Sequence, residues 1–494
     1  MLICSGASLT FAFAPYGQWY LPFMVLPVSF YLISRYADKI FIAAWMFGFG
    51  YFSAGIAWVH VSIAEFGGIP LVASLFLMFL LCAYLALFPA MAFYLTKRFF
   101  PIRPMWPLVL PFIWLISEWA RAHLLTGFPW LSIGYSQSTS MLSAWLPIIG
   151  EIGLSALIIL VCISIAIGIQ YKKVISIIPI VVLFVSSFVL QNVQWTKQSD
   201  QSKSVLLVQG NIAQSMRWDP KKDEQTIRHY LALTEPYWDA DIVVWPEAAI
   251  PKLEIGSGEL LVALDQRAIQ SQTGFITGIV DYNIETKVAL NLLLAMGIDN
   301  EQSNTPYQYG HKKRFAKHHL LPIGEFVPFE DLLRPLAPIF DLPMSSFTRG
   351  EYVQDNLLVN ETYFAPAICF EIAFPKQIRA NLQPHTNAII TVSNDAWFGD
   401  SHGPHQHMQI AQVRAREFGL PLLRATNNGV TGTINSYGQI TASLPQFESG
   451  VLTSTLHFSE GFTPYRKFGD LPVWIVTAML FFIALIIRYK GQSN

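Results

Sequence analysis

Long apolar stretches recur through the first part of the chain, and one more lies near its end. Because the hydrocarbon core of a bilayer is about 30 Å thick, a spanning helix needs about 20 apolar residues. We predict spans near residues 3–15, 18–34, 40–60, 70–96, 104–120, 150–170, 174–191 and 472–488. The segment 3–15 is short and no basic residue precedes it, so a cleaved signal peptide is the alternative there. The pattern therefore predicts about eight transmembrane helices.

Between residues 203 and 455 the pattern changes to short apolar runs separated by polar and helical stretches. The runs that favour buried strands are Ser204–Gln209, Ile242–Trp245, Gly274–Val280, Leu290–Met296, Tyr363–Cys369, Ala388–Val392 and Thr431–Asn435. Helical patterns fit Lys222–Thr234, Glu259–Ser271 and His405–Phe418. Such alternation is typical of an α/β domain. We predict a transmembrane domain of about seven helices over 1–195, an α/β domain over 196–465 and a closing transmembrane helix over 466–494.

Charged residues follow the same division of the chain. They make up 13% of its 494 residues, whereas about 25% is usual for a soluble domain. Most of them lie between Lys197 and Asp470, so the change in charge density near residue 195 marks the end of the membrane part. The net charge of −1 creates no field that would attract nucleic acid, and we predict no nucleic-acid partner.

Basic residues near the span ends predict the orientation of the membrane part, because lysine and arginine accumulate in cytoplasmic loops. With a cytoplasmic N-terminus and a first span at 3–15, the inner loops contain Arg35, Lys39, Lys97, Arg98, Arg103, Lys172 and Lys173. Arg488 and Lys490 follow the last span. We therefore predict that both termini are cytoplasmic and that the α/β domain lies on the outer face of the membrane.

The α/β part contains a single cysteine, Cys369, and so has no disulfide of its own. The other cysteines, Cys4, Cys82 and Cys162, lie in apolar stretches, where a small buried thiol is ordinary. A lone cysteine in an exported domain is either buried filler or a working thiol. The surrounding sequence has to decide between these two roles.

Three segments at predicted strand ends carry residues suited to acyl-transfer chemistry. Val243–Glu247 places a carboxylate after a buried strand, Lys317–Phe326 contains a lysine and a second glutamate, and Pro366–Glu371 runs into Cys369. Each segment alone is weak evidence, because strands often end in glutamate and a cysteine after Ala-Ile is more often core filler. Their occurrence together, in this order, is much more specific.

Together these segments resemble the carbon–nitrogen hydrolase (nitrilase) superfamily, whose Glu–Lys–Cys triad lies on strand ends of an α-β-β-α sandwich. The multi-span N-terminal part and the closing span narrow the resemblance to the apolipoprotein N-acyltransferases of Gram-negative bacteria. Further matching segments extend it over the whole chain: Gly6–Pro15, Val208–Ile212, Asp341–Phe347 and Ser393–Gly399. Two features depart from the family: the chain begins almost inside its first span, and Phe370 stands where a tyrosine is usual.

The resemblance implies a catalytic triad of Glu247, Lys317 and Cys369. The thiolate is the nucleophilic form of cysteine, and a free thiol is mostly protonated at neutral pH, so Cys369 needs a base. A carboxylate with its ordinary pKa is a poor base for a thiol, but burial raises that pKa. Glu247 follows the apolar run Ile242–Trp245, so we expect it to be buried enough to act as the base. The ammonium of Lys317 would stabilise the oxyanion that forms when the thiolate attacks an ester carbonyl.

Other positions match residues that the family requires or uses to contact lipid. Glu325 would orient Lys317 or hold an amine, and Glu371 and Phe370 would support the site. The matching substrate-binding positions are Trp218, Arg334, Trp397 and Phe398. A structural role, as a charged loop residue or in core packing, is the alternative for each of these residues.

By resemblance, the acyl donor is a membrane phospholipid, typically phosphatidylethanolamine, whose sn-1 acyl chain passes to Cys369 as a thioester. The acceptor is an apolipoprotein whose N-terminal cysteine already carries diacylglycerol, and its α-amine leaves N-acylated. Two substrates that use one site in turn predict ping-pong kinetics. The resemblance further implies a monomer without cofactor, in the bacterial inner membrane, with a periplasmic catalytic domain.

Two other functions remain open from the sequence. A membrane-anchored amidohydrolase of the nitrilase type would form the same thioester and pass it to water, although about eight spans exceed what an anchor needs. A transporter with an outer ligand-binding domain would be favoured by charges inside the membrane. The relevant charges, Glu118, Arg121 and Glu151, lie near predicted span ends instead.

Three histidines, His402, His405 and His407, raise the question of a metal site. Their spacing does not match a zinc-binding pattern, and no further ligand set accompanies them. The family that the chain resembles needs no metal. We therefore predict none.

Overall fold

The computed structural model describes residues 1–66, 70–213, 220–299, 306–322, 324–326 and 347–492. The chain divides into two compact units, one helical and one of mixed α and β structure. The helical unit consists of Met1–Ala64, Pro70–Trp195 and Phe462–Asn494. The mixed unit consists mainly of Thr196–Gly461.

The helical unit contains helices that are apolar along most of their length. They are Leu2–Ser8, Leu21–Arg35, Ile40–Gly55, Leu71–Leu85, Leu87–Phe99, Trp106–His123, Leu146–Tyr171, Ile178–Leu190 and Leu471–Gln492. With adjoining helical turns, four segments of the described residues are long and apolar enough to cross a membrane: Leu71–Phe99, Arg103–Thr126, Met141–Tyr171 and Leu471–Lys490. Shorter apolar helices cover Leu2–Ala12, Leu21–Arg35, Ile40–Gly55 and Val174–Leu190.

Every predicted span therefore overlaps an apolar helix, and the chain is a membrane protein with between four and eight such helices. The predicted ends were partly wrong. The first helical segment stops at Ala12, and Phe13 is extended with φ −101° and ψ 167°. A helix would not continue through Ala14 in any case, because the residue before a proline disfavours helical geometry. The helix predicted over 40–60 ends at Gly55, where Ile56 leaves helical geometry.

A buried arginine stabilises the chain segment after Trp106–His123. Arg121 is 2% exposed, and its Nη1 donates to the carbonyl oxygens of Phe128 and Trp130, each at 2.6 Å. It also forms an ion pair with Glu118. A charge in apolar surroundings is costly unless it is paired and hydrogen-bonded, so these contacts account for the presence of a charged pair at this position.

The described residues of the mixed unit form two six-stranded sheets. The first comprises β1 Thr196–Gln209, β2 Ile242–Val244, β3 Gly274–Asn283, β4 Val288–Gly297, β5 Arg314–Ala316 and β12 Gly450–Gly461, in the order β12-β1-β2-β3-β4-β5. The second comprises β6 Leu357–Val359, β7 Thr362–Ile368, β8 Ala388–Ser393, β9 Leu422–Thr426, β10 Thr431–Ile434 and β11 Ile440–Leu444, in the order β11-β10-β9-β8-β7-β6. In each sheet three neighbouring strands are parallel: β1, β2 and β3, and β7, β8 and β9.

The alternation of side chains along β1 shows how the layers pack, because successive residues of a strand point to opposite faces. Val205 and Leu207 belong to a core shared with residues of the second sheet, such as Phe364 and Ile390. Leu206 and Val208 lie in a separate core that includes residues of the helices Asp223–Thr234 and Gly258–Gln270. Two further helices of this unit are Pro375–Asn381 and Gly403–Phe418. The unit is a two-sheet α/β domain.

All the predicted strands and helices of this domain are present, with ends that differ by a few residues at most positions. Two differences matter. Strand β1 begins at Thr196 and not at Ser204, because its polar first half pairs with β12. Strand β7 ends at Ile368, so Cys369 lies just beyond it. Strands β5, β6, β9, β11 and β12 were missed; β9, for example, has the buried Arg424 at its centre, which interrupts the apolar pattern.

Candidate active site

The sheet topology brings the predicted triad residues to strand ends. Glu247 comes shortly after β2, and Lys317 directly follows β5. Strands β2 and β3 are parallel, and β4 is antiparallel to both β3 and β5. Strand β5 therefore runs in the same direction as β2, and the two residues lie at the same edge of the sheet. Cys369 follows β7 in the second sheet.

Lys317 lies between two buried glutamates. Its Nζ is 2.9 Å from Glu325 Oε1 and 3.4 Å from Glu247 Oε1. Asn291, on β4, donates through Nδ2 to the same two oxygens, at 2.9 Å for Glu247 and 3.0 Å for Glu325. The second oxygen of Glu247 accepts from the backbone N–H of Asn394 at 2.8 Å. The second oxygen of Glu325 accepts from the backbone N–H of Leu321 at 2.8 Å. The two carboxylates are thus held in position by an ammonium, an amide and backbone donors.

The charge on Lys317 follows from these neighbours. Its side chain is 2% exposed, and burial alone lowers the pKa of an ammonium group. The carboxylates of Glu325 and then Glu247 outweigh burial, so the pKa of Lys317 lies above its ordinary value. Lys317 therefore stays protonated at neutral pH and acts as a cation and hydrogen-bond donor.

Cys369 begins a short turn after β7 and is partly exposed. Its φ is +54°, in the left-handed region that residues with a side chain rarely adopt. The Ser393 hydroxyl lies 3.3 Å from Sγ. Burial, followed by the charge of Glu247, raises the pKa of the thiol, while Lys317 lowers it. The thiol is thus protonated at rest, and Glu247 and Lys317 both lie close enough to affect its charge.

Glu371 connects the lysine and cysteine segments through backbone hydrogen bonds. Its Oε1 accepts from the N–H groups of His318 and His319 at 2.8 and 3.0 Å, and its Oε2 accepts from the N–H of Ile368 at 2.8 Å. Gln377 Nε2 donates to Oε1 at 2.7 Å. Glu371 is 1% exposed, and burial raises the pKa of its carboxyl group. It holds the residues next to Lys317 and Cys369 together.

The predicted aromatic positions differ in their surroundings. Phe370 is buried, with its ring 5.1 Å from that of Phe374 and 5.8 Å from that of His319. Trp397 and Phe398 lie in the turn after β8 and are partly exposed. Trp218 and Arg334 lie outside the described residues, as does the matching segment 341–346.

The three histidines do not converge. Phe398 packs edge-on against the ring of His407, and His407 in turn contacts Asp395 and the carbonyl oxygen of Cys369. His405 contacts the side-chain amide of Gln446 instead. Within the described ranges, no group of three or more His, Cys, Asp or Glu residues is arranged to hold a metal ion.

Sequence reasoning gave no role to Asn291, Ser393 or Asn394, although all three contact the candidate triad. A signal was present for Asn291, which is a buried polar residue among the leucines of β4. Buried polar groups are normally hydrogen-bonded, so a polar residue at such a position indicates a specific partner. The contact of Asn394 is made by its backbone and leaves no trace in the residue type.

Comparisons with known proteins cover both parts of the chain. Residues 5–164 match the family model of the apolipoprotein N-acyltransferase N-terminal domain, and residues 205–461 match the carbon–nitrogen hydrolase model. An apolipoprotein N-acyltransferase of Vibrio cholerae is 45% identical over 479 residues, which is 95% of this chain and 93% of the relative. One of Shewanella oneidensis is 44% identical over an alignment of 498 positions, which covers 99% of this chain and 95% of the relative.

Solved structures of similar shape include Saccharomyces cerevisiae Nit3, of the nitrilase superfamily. It is 13% identical, covers 54% of this chain and 92% of its own length, and has a TM-score of 0.37. Full-length relatives and two family models, by contrast, account for nearly every residue. The chain therefore belongs to the apolipoprotein N-acyltransferase family, within the carbon–nitrogen hydrolase superfamily.

Proposed function

We propose that this chain transfers the sn-1 acyl chain of a phospholipid to the α-amine of a diacylated apolipoprotein, through a thioester on Cys369. The arrangement of Glu247, Lys317 and Glu325 beside this cysteine carries the proposal. It places a buried base and a buried cation beside a partly exposed nucleophile. Membership of the family, established over the full length, supports the same reaction.

In the first step Glu247 accepts the proton of the Cys369 thiol, and the thiolate attacks the ester carbonyl carbon. The resulting oxyanion lies near the ammonium of Lys317, which stays charged because Glu325 and Glu247 surround it. When the tetrahedral intermediate collapses, the C–O bond breaks and the leaving oxygen takes the proton from Glu247. The products are a lysophospholipid and an acyl thioester on Cys369.

In the second step the α-amine of the lipoprotein attacks the thioester and loses a proton to Glu247. The C–S bond breaks, an amide forms, and the sulfur of Cys369 is reprotonated. Glu325, which accepts a hydrogen bond from Lys317 at 2.9 Å, keeps the cation in place through both steps. Glu247 thus alternates between base and acid, as two-step covalent catalysis requires.

Several predicted positions become parts of this proposal. Glu371 positions the residues beside Lys317 and Cys369, and Phe370 supports the turn by packing on Phe374. We assign Trp397 and Phe398 to contacts with the acyl chain, because both are partly exposed aromatic residues directly after β8. For the remaining binding positions, Trp218 and Arg334, lipid contact stays a prediction.

The alternative function, amide or ester hydrolysis, uses the same thioester and differs only in the second nucleophile. Purified protein in detergent should therefore be given a phospholipid labelled in its sn-1 chain, with or without a diacylated lipopeptide that has a free α-amine. We expect the label to appear on the lipopeptide as an amide. A lipopeptide whose amine is acetylated is the matched control and should receive none. Release of the label only as free fatty acid, at the same rate with either peptide, would contradict acyl transfer.

We further propose a division into a membrane domain over 1–195, a periplasmic α-β-β-α catalytic domain over 196–465 and a last span over 466–494. About eight spans, a monomer and an inner-membrane location complete this proposal. The basic residues at the predicted inner loops support it. A reporter that is active only in the cytoplasm, fused after Asn494, should be active; activity of a periplasm-specific reporter at the same position would contradict the topology.

A further inference from the structure

The backbone of Cys369 needs contacts that hold it in place. Its φ of +54° lies in the left-handed region, where the side chain of a non-glycine residue crowds its own backbone. Such conformations persist only where surrounding structure enforces them, and they are concentrated at functional sites. On the preceding side, the N–H of Ile368 is held by Glu371. On the following side, His407 Nε2 lies 3.0 Å from the carbonyl oxygen of Cys369.

The chemistry of Arg424 decides which nitrogen of His407 carries the proton. Arg424 Nη2 lies 3.0 Å from His407 Nδ1 and 2.6 Å from Asp395 Oδ2. A guanidinium can only donate hydrogen bonds, so Nδ1 presents its lone pair to Arg424. Asp395 Oδ1 is farther from Nδ1, at 3.2 Å, and already accepts from the Ser393 hydroxyl at 2.5 Å. The contact of Nε2 requires the same tautomer, because the carbonyl oxygen of Cys369 can only accept. The proton of a neutral imidazole is then on Nε2, which donates to the carbonyl oxygen of Cys369. Burial, and then the charge of Arg424, lower the pKa of His407, in agreement with a neutral ring.

The same cluster also contacts the sulfur of Cys369. The Ser393 hydroxyl bridges Asp395 Oδ1 at 2.5 Å and Cys369 Sγ at 3.3 Å. Although burial raises the pKa of Asp395, the adjacent Arg424 outweighs it and holds the pKa below its ordinary value, so the carboxylate is ionised. Ser393, Asp395, His407 and Arg424 are each 1% exposed or less. Cys369 is therefore restrained at both its carbonyl group and its sulfur by a single buried network.

We propose that His407, in the tautomer imposed by Arg424, is a positioning residue that clamps the carbonyl group of Cys369 and keeps the thiol in the orientation for attack. The proposal rests on the proposed function, since it takes Cys369 as the nucleophile. His407 is assigned this role through its contact with the backbone carbonyl oxygen of Cys369. Its loss should therefore slow acylation while leaving donor binding unchanged.

The test uses the full-length protein in detergent and measures acylation of Cys369 by labelled phosphatidylethanolamine at several donor concentrations. We expect His407→Ala to lower the limiting acylation rate about tenfold to a hundredfold, as for loss of one buried hydrogen bond, with a half-saturating donor concentration changed less than about twofold. His407→Gln should regain most of the rate, because its amide N–H can donate to the same carbonyl oxygen.

His311→Ala is the matched control. His311 Nε2 also contacts a backbone oxygen, that of Ala295, at 3.0 Å in the same domain, but His311 has no contact with Cys369 among the described hydrogen bonds. Its acylation rate should stay within about twofold of wild type even where the melting temperature falls. If His407→Ala does not fold, His407→Leu fills the space without a donor and carries the same expectation.

The positioning role of His407 would be overturned by equal acylation rates for His407→Ala and His311→Ala. It would also be overturned if a folded His407→Gln variant regained none of the rate. A raised half-saturating donor concentration at an unchanged limiting rate would do the same. Peptide mapping separates these results from failure of the proposed function. If wild-type label is not on Cys369, the function itself is wrong, whereas correct labelling with an unaffected rate in His407→Ala removes only the role of His407.

Discussion

Replacing Lys317 with methionine is expected to lower the rate of acyl-enzyme formation by about three orders of magnitude, since loss of one oxyanion donor typically costs a hundredfold to a thousandfold. A second effect acts in the same direction. Glu247 and Glu325 would lose the cation between them, although Asn291 would still contact both. Removing one member of a buried ion pair costs about 3–5 kcal/mol of stability, so one of the two carboxyl groups should then take up a proton.

The measurement is single-turnover acylation from a labelled phospholipid, together with the melting temperature of each protein. Lys312→Met is the matched control, because Lys312 is an exposed lysine of the same segment. It should acylate at the wild-type rate and melt at the wild-type temperature. A folded Lys317→Met protein that keeps more than about a tenth of the wild-type rate would show that this lysine does not stabilise the oxyanion.

Glu247→Gln is expected to reduce acylation about a thousandfold, within the range found for removal of a general base. The same change should make the resting thiol more reactive toward a small reagent. Burial and then the negative charge of Glu247 raise the pKa of Cys369, so a neutral glutamine lowers that pKa. A lower pKa gives more thiolate at a given pH, and the alkylation rate should therefore rise at a lower pH than in wild type.

Acylation by phospholipid and alkylation by iodoacetamide should thus change in opposite directions. The alkylation of Cys369 is followed across pH by peptide mass spectrometry. Mapping by peptide is needed because Cys4 is also exposed. Glu259→Gln, at an exposed position, is the control and should match wild type in both assays. Acylation that survives in Glu247→Gln would remove its role as base. An alkylation profile displaced toward higher pH would contradict the description of its charge beside the thiol.

Apolar periodicity was enough to predict most of the fold, because it depends on local sequence. The eight apolar segments and the strands that lead into Glu247 and Cys369 were all found from hydrophobic runs. Among the missed strands, β9 shows how a non-local contact hides a strand. In β9 the buried Arg424 is compensated by Asp395, 29 positions earlier in the chain, so the apolar pattern is broken by a pair that no local window contains.

The residues of the candidate site also fall into two groups, those that the sequence could predict and those whose role depends on contacts between distant segments. Glu247, Lys317, Glu325 and Cys369 were predicted because the segments that contain them, taken together and in order, match a known family. The expectation for Glu371 was a supporting role, and its four hydrogen bonds, which the sequence does not contain, define that role as connecting two segments. The role of His407 depends on a tautomer imposed from β9.

Passage of the acyl group through a thioester on Cys369 can be tested directly by locating the label on the protein. Wild-type protein and Cys369→Ala should be incubated with labelled phosphatidylethanolamine, digested, and mapped for label before and after treatment with hydroxylamine, which cleaves thioesters. In the wild type we expect label on the Cys369 peptide, and this label should be lost on treatment with hydroxylamine or with a diacylated lipopeptide. Cys369→Ala should carry no label. Cys4→Ala should behave as the wild type. Label that persists in Cys369→Ala, or that maps to another residue, would contradict this account.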